Sequence, residues 1–95
     1  MKKYELMYIL RPSLDDDARK TLIASLHNIL ATNGAKVGKV NEWGLRELAY
    51  EIKKETKGYY VVVKFEGDEK AINEFNRLVL INTNVLRHLV TIDQE

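Results

Sequence analysis

Cysteine is absent from this 95-residue sequence, so disulfides, thiolate metal sites and thiol redox chemistry are all excluded. The two histidines, His27 and His88, lie far apart without a clustered carboxylate, a poor basis for a metal site. No apolar run approaches the length needed to cross a bilayer. The run after Lys2-Lys3 is short and broken by Glu5, and no small-residue cleavage site follows, so neither a signal peptide nor a membrane partner is expected. A large excess of one charge is also missing. The net charge is +1, whereas a freestanding nucleic-acid binder carries a basic excess or a dense basic stripe. Whole-chain charge therefore argues against tight, autonomous RNA binding. What remains is 45% apolar and 31% charged, the balance of one globular domain over residues 1–95.

Lys3–Leu10 alternates as a strand, with Tyr4, Leu6, Tyr8 and Leu10 on one face and Glu5, Met7 and Ile9 on the other. Arg11-Pro12 ends it. Ser13-Leu14-Asp15-Asp16 has capping-box spacing, and a helical stripe follows through Ala18, Leu22, Ile23, Leu26, Ile29 and Leu30 to Asn33-Gly34. Ala35–Ile52 reads as a long strand interrupted near Gly38 and Gly44. Lys53–Gly58 is a polar hairpin tip, and Tyr59–Glu66 is the strongest strand, with Tyr59, Val61, Val63 and Phe65 towards the core. Asp68 caps a second helix with Ile72, Phe75, Leu78 and Val79 inward, and Val85–Ile92 is the last strand. The order β-α-β-β-α-β predicts a ferredoxin-like α+β fold, a four-stranded antiparallel sheet with both helices on one face.

The other face presents Glu5, Met7, Ile9, Tyr60, Val62, Lys64, Arg87 and Leu89 by parity. A solvated sheet face is mostly polar, so this mixture of large apolar groups and charges predicts docking. Lys57-Gly58-Tyr59 begins like the third-strand signature of the RNA-recognition motif, which shares this fold. Placing Tyr59 on the open face, however, would bury Lys64 and Glu66 at high cost.

Nothing indicates catalysis. Asp15-Asp16-Asp17 lacks the alternating ligands and glycine of a calcium loop, and the five glycines form no phosphate-cradling series. Ser13 and Ser25 have no base at a motif spacing. Arg11-Pro12-Ser13-Leu14 is not the glycine-rich anion loop of ferredoxin-like acyl-phosphate hydrolases. No cofactor or small-molecule substrate is expected. Basic residues gather at Lys2-Lys3, at Lys36 and Lys39, at Arg46, at Lys53-Lys54-Lys57 and at Arg87. Because the first and last strands are neighbours in this topology, the N-terminal lysines and Arg87 are expected to form a small basic edge for phosphates.

The stretch Gly34-Ala35-Lys36-Val37, the run Trp43 through Lys54 (WGLRELAYEIKK) and Gly58-Tyr59-Tyr60 are distinctive. With Lys2, Tyr4, Glu5, Ile9, Leu10 and Pro12 at the start and Asn84-Val85-Leu86-Arg87-His88 near the end, they resemble the bacterial small-subunit ribosomal protein six family along essentially the whole chain. The resemblance implies a non-enzymatic, cytoplasmic component of the small ribosomal subunit. It further implies binding to the central domain of small-subunit rRNA together with small-subunit ribosomal protein eighteen. Lys2, Lys3, Tyr4 and Arg87 carry over towards RNA. Trp43, Arg46 and Tyr50 carry over towards the protein partner, with fold determination as the alternative role, for Tyr50 above all because it shares parity with core-like Leu48. Tyr60, Val62 and Leu89 of the open face complete the expected partner surface. The sequence departs from some members at Asp93-Gln94-Glu95, where they carry a longer, often acidic, tail. A reading of another class is a regulatory or ligand-sensing ferredoxin-like domain that self-associates through its open sheet.

Overall fold

A computed structural model describes residues Lys2 to Asp93; Gln94 and Glu95, on which part of the expected C-terminal departure falls, lie outside the described residues. Six elements follow one another: β1 (Lys2–Leu10), α1 (Asp16–Thr32), β2 (Lys36–Ile52), β3 (Glu55–Gly67), α2 (Glu69–Leu80) and β4 (Val85–Ile92). The strands form one sheet in the order β2-β3-β1-β4, every neighbouring pair antiparallel. This is the ferredoxin-like arrangement.

The period-2 pattern of the two central strands decides where the core lies. Tyr4, Leu6, Tyr8 and Leu10 of β1 pair with Phe65, Val63, Val61 and Tyr59 of β3, so one face is apolar along its length. Both helices cover that face: Ile23, Leu26 and Leu30 from α1, and Ala71, Phe75 and Val79 from α2, join one buried cluster with it. Removing the larger of these side chains from water stabilises each by roughly 1.5–3 kcal/mol. Ala18, expected in the α1 stripe, is exposed instead, and Leu22 and Ile29 are half-buried.

The helix ends show local chemistry at work. Asp15, not Ser13, is the N-cap of α1: its carboxylate accepts from the Ala18 amide at 2.7 Å. Pro12 leaves Ser13 in the connecting turn, and Asp16 and Asp17 then complement the dipole in the first turn. Gly34 follows the Asn33 C-cap with φ +88°, the left-handed conformation that glycine adopts without penalty. Asp68 stands at the N-cap of α2, but its side chain makes no capping bond.

The β2–β3 hairpin is longer than the rest of the sheet. The register shifts between Val37 and Val40 and between Glu42 and Gly44, the two interruptions expected near Gly38 and Gly44. Pairing of β1 with β3 stops at Leu10–Tyr59, so the remainder of β2 and β3 projects beyond it as an arm. The polar tip is tighter than Lys53–Gly58, because Glu55 already pairs with Ile52 and only Lys53 and Lys54 form the turn. Their φ angles are +48° and +67°, a region that costs a non-glycine residue roughly 1–2 kcal/mol. The arm is tied to the body near its tip. Arg11 Nη1 donates to Glu55 at 3.0 Å while its Nε donates to the Thr83 carbonyl at 2.7 Å, and Lys53 Nζ reaches the Val85 carbonyl at 3.4 Å.

Candidate partner and nucleic-acid interface

The helix-free face follows the expected parity. Glu5, Met7 and Ile9 lie opposite Lys64, Val62 and Tyr60, and Met7 and Ile9 also face Leu89 and Arg87 across the other edge of β1. It is not uniformly bare, however. Ile9 and Val62 are buried, Val62 to 7% exposure, so Val62 offers a partner little surface. Close packing explains Ile9. A Cβ built on Gly58 would meet Ile9 Cγ2 at 2.3 Å and Leu48 Cδ2 at 3.4 Å, which places Ile9 and Leu48 together over that glycine. Leu48 therefore belongs to the open face rather than the helix-covered core, and Tyr50, two residues on, follows it there.

The apolar groups that remain available are Trp43, Tyr50 and Leu89, at 48%, 59% and 48% exposure. Trp43 sits in the second bulge of β2, which turns its ring onto the open face. There it lies parallel to Tyr60, with centroids 6.2 Å apart and planes 8° from one another. The Arg46 guanidinium stands 5.1 Å from the Trp43 ring. Tyr50 accepts a hydrogen bond from Arg87, which links β2 to β4 over the end of β1. Five of the six expected partner residues thus lie on one exposed surface, and Val62 lies beneath it.

The expected basic edge is not one cluster. Lys2 lines the helix side near Glu69 and Ile72, whereas Lys3 lies on the open side. Lys3 is level with Asp93, after β4, whereas Arg87 pairs with Ile9 near its start. Six residues of β1 separate these levels, about 20 Å at the rise of a strand. Antiparallel pairing makes the two strands neighbours but sets these charges at opposite ends. Tyr4 is 8% exposed and stacks on Phe65 at 5.5 Å, so its ring is part of the core. A cavity of about 210 Å³ beside Lys3 includes Lys36 and Lys64 together with Glu66 and Asp93. Lys64 and Asp93 approach to 3.8 Å, so opposite charges are mixed there.

Beneath α1, polar groups line the sheet. Tyr59 donates to Glu42 at 2.8 Å, and the Arg19 guanidinium covers the Tyr59 ring at 4.4 Å. Tyr59 therefore faces the helices and cannot act as a base-stacking platform on the open face. Burial, with help from the bond to Glu42, pushes its phenol up from the ordinary value. Among the described residues, no group of histidine, aspartate and glutamate side chains could hold a metal ion. Among the same described residues, no helix is long and apolar enough to cross a membrane.

The fold agrees with that of known proteins. The family model described as ribosomal protein S6 matches residues 3–91. The chain belongs to the ribosomal protein S6 family. Small ribosomal subunit protein bS6 of Halalkalibacterium halodurans is 50% identical over 95 residues, covering all of both chains. The crystal structure of 30S ribosomal protein S6 from Thermotoga maritima superposes with a TM-score of 0.91 at 28% identity, covering 97% of this chain and 87% of that one. Membership of the S6 family makes this a small-ribosomal-subunit protein. The Trp43–Tyr60 stack, the Arg11–Glu55 tie and the strained lysine turn escaped the sequence reading. A bulge sets the first, a long-range pairing the second, and no local signal marks the third.

Proposed function

We propose that this protein works in the bacterial cytoplasm as a structural component of the small subunit, binding the central domain of small-subunit rRNA together with small-subunit ribosomal protein eighteen. The observation that carries the reading is the asymmetric sheet: helices shield one face, and the other displays Trp43, Arg46, Tyr50, Tyr60 and Leu89. Interface cores are enriched in aromatics and arginine, so this surface is assigned to the protein partner. Arg87, Lys2 and Lys3 reach RNA as separate phosphate contacts. Tyr4 supports the strand that presents Lys2 and Lys3.

Charge shapes the mechanism. Each neutralised phosphate adds about 0.7–0.9 to the salt slope of binding. A chain of net charge +1 makes few such contacts alone, and a basic partner supplies the rest. Titrating an rRNA fragment with this protein alone and with its partner tests the arrangement. Tighter binding by the pair is expected; equal affinities would count against it. In a sucrose gradient the tagged protein should co-migrate with small subunits, and exclusive migration as free protein would end the ribosomal reading.

A further inference from the structure

We infer that the tip of the β2–β3 arm is an RNA phosphate-binding site carried by Lys53, Lys54 and Lys57. This rests on the RNA-binding reading above and adds a third region of RNA contact to it. The first observation is the turn itself. Two-residue hairpin turns with positive φ at both central positions select asparagine, aspartate and glycine. Here both positions are lysine, at φ +48° and +67°. The turn thus forgoes its favoured residues and carries two adjacent cations.

The second observation is charge balance. Of the acids near the turn, Glu55 is held by Arg11 at 3.0 Å, while Glu51 and Glu47, the latter opposite Lys57 in the ladder, are exposed and form no ion pair with the tip lysines among the described residues. Lys54 and Lys57 are exposed and make no hydrogen bond or ion pair among the described residues. Lys53 bonds only a carbonyl, which leaves its charge uncompensated. The third observation is position. Arg11 and Lys53 anchor the tip to the segments before and within β4, so the cations sit on a braced arm. Arg87, the RNA contact of β4, is held beside the arm by its bond to Tyr50. Lysine is depleted from protein–protein interfaces but serves as a point charge for phosphate, so the RNA backbone is the favoured ligand over an acidic protein.

The test is the K53N/K54G variant, measured as the complex with the protein partner on an rRNA fragment. Asn-Gly suits the turn, so Tm should rise, by about 4–8 °C for each kcal/mol of relieved strain. RNA affinity should fall all the same. With two phosphate-binding cations removed, the drop in affinity between 50 and 200 mM salt should be about tenfold smaller than for the wild type. A second variant, K54Q/K57Q, should flatten the salt dependence while keeping the original Lys53 turn. Unchanged affinity and salt slope in both variants would overturn the inference, as would a loss confined to binding of the protein partner. Wild-type protein that binds no RNA with its partner would instead overturn the RNA reading and this site with it.

Discussion

The Tyr8 hydroxyl and His27 Nε2 lie 2.9 Å apart between β1 and α1, with their rings nearly edge to face. Tyr8 is fully buried, and desolvation pushes its phenol far above the ordinary value, so it remains an O–H donor at every physiological pH. A neutral imidazole accepts that proton; an imidazolium cannot. His88 sits in a parallel situation on β4, edge to face against Phe75, with its Nε2 2.9 Å from Asn76 Oδ1. Desolvation lowers the pKa of both histidines, and Glu42 only partly opposes this at His27.

A pH dependence follows from the sign of these shifts. The folded imidazoles titrate below their ordinary value of 6.5, so the unfolded chain binds more protons in the window beneath it. Stability from these groups is fully present above 6.5 and is lost as pH falls through the folded pKa values. Urea midpoints measured near pH 7.5 and near pH 5 should show the lower stability at the acidic end. His27→Gln keeps a polar partner for Tyr8 and cannot titrate there, so it should shrink that difference. Parallel curves for both proteins would remove His27 from the account.

Gly58 gives a sharper prediction, because the obstacle is named. A methyl at position 58 meets Ile9 Cγ2, an atom on a stiff β-branched side chain that cannot swing away. Gly58→Ala should destabilise the protein by about 1–3 kcal/mol. In an Ile9→Ala background the same change should cost at least about 1 kcal/mol less, since the offending methyl is gone. Denaturant unfolding of the four proteins closes the cycle, and strict additivity would show that the clash is relieved elsewhere.

How far the fold could be read from sequence follows from where its determinants lie. Strand alternation placed Tyr8 inside and Met7 outside because a period of two leaves no other choice once one face is buried. The bulge near Gly38 was legible from the broken phase of Val37 and Val40, and the one at Gly44 from the glycine itself. Asp15 displaced Ser13 as N-cap because several adjacent residues can cap and only the turn after Pro12 selects among them. The surface was harder. Leu48 looked core-like by type, yet it lies with Ile9 on the open face, over the space that Gly58 leaves without a side chain. The basic edge failed for a related reason: adjacency of β1 and β4 says nothing about level along them, and antiparallel pairing sent Lys3 and Arg87 to opposite ends.

That separation has a measurable consequence. Groups about 20 Å apart with no shared partner contribute independently to binding. Lys3→Gln and Arg87→Gln should each weaken rRNA binding by the partnered protein, and the double variant should show the sum within about 0.5 kcal/mol. A coupling well beyond that would mean that a single phosphate cluster bridges both ends.

Trp43 is the sole tryptophan, so it reports on the surface assigned to the protein partner. Nearly half of it is exposed, and it touches Tyr60 and Arg46 rather than the core. Trp43→Ala should therefore change unfolding free energy by only about 0.5 kcal/mol, the usual range for surface positions. If the open face seats the partner, the same substitution removes a central aromatic anchor and should cost about 2 kcal/mol or more of association, some thirtyfold in Kd. Wild-type fluorescence should shift to the blue as the partner excludes water from the indole. The two readouts separate the alternatives. Lost association with intact stability places the partner on this face, whereas lost stability with unchanged association makes Trp43 a fold residue. An unshifted spectrum on binding would move the partner to another surface.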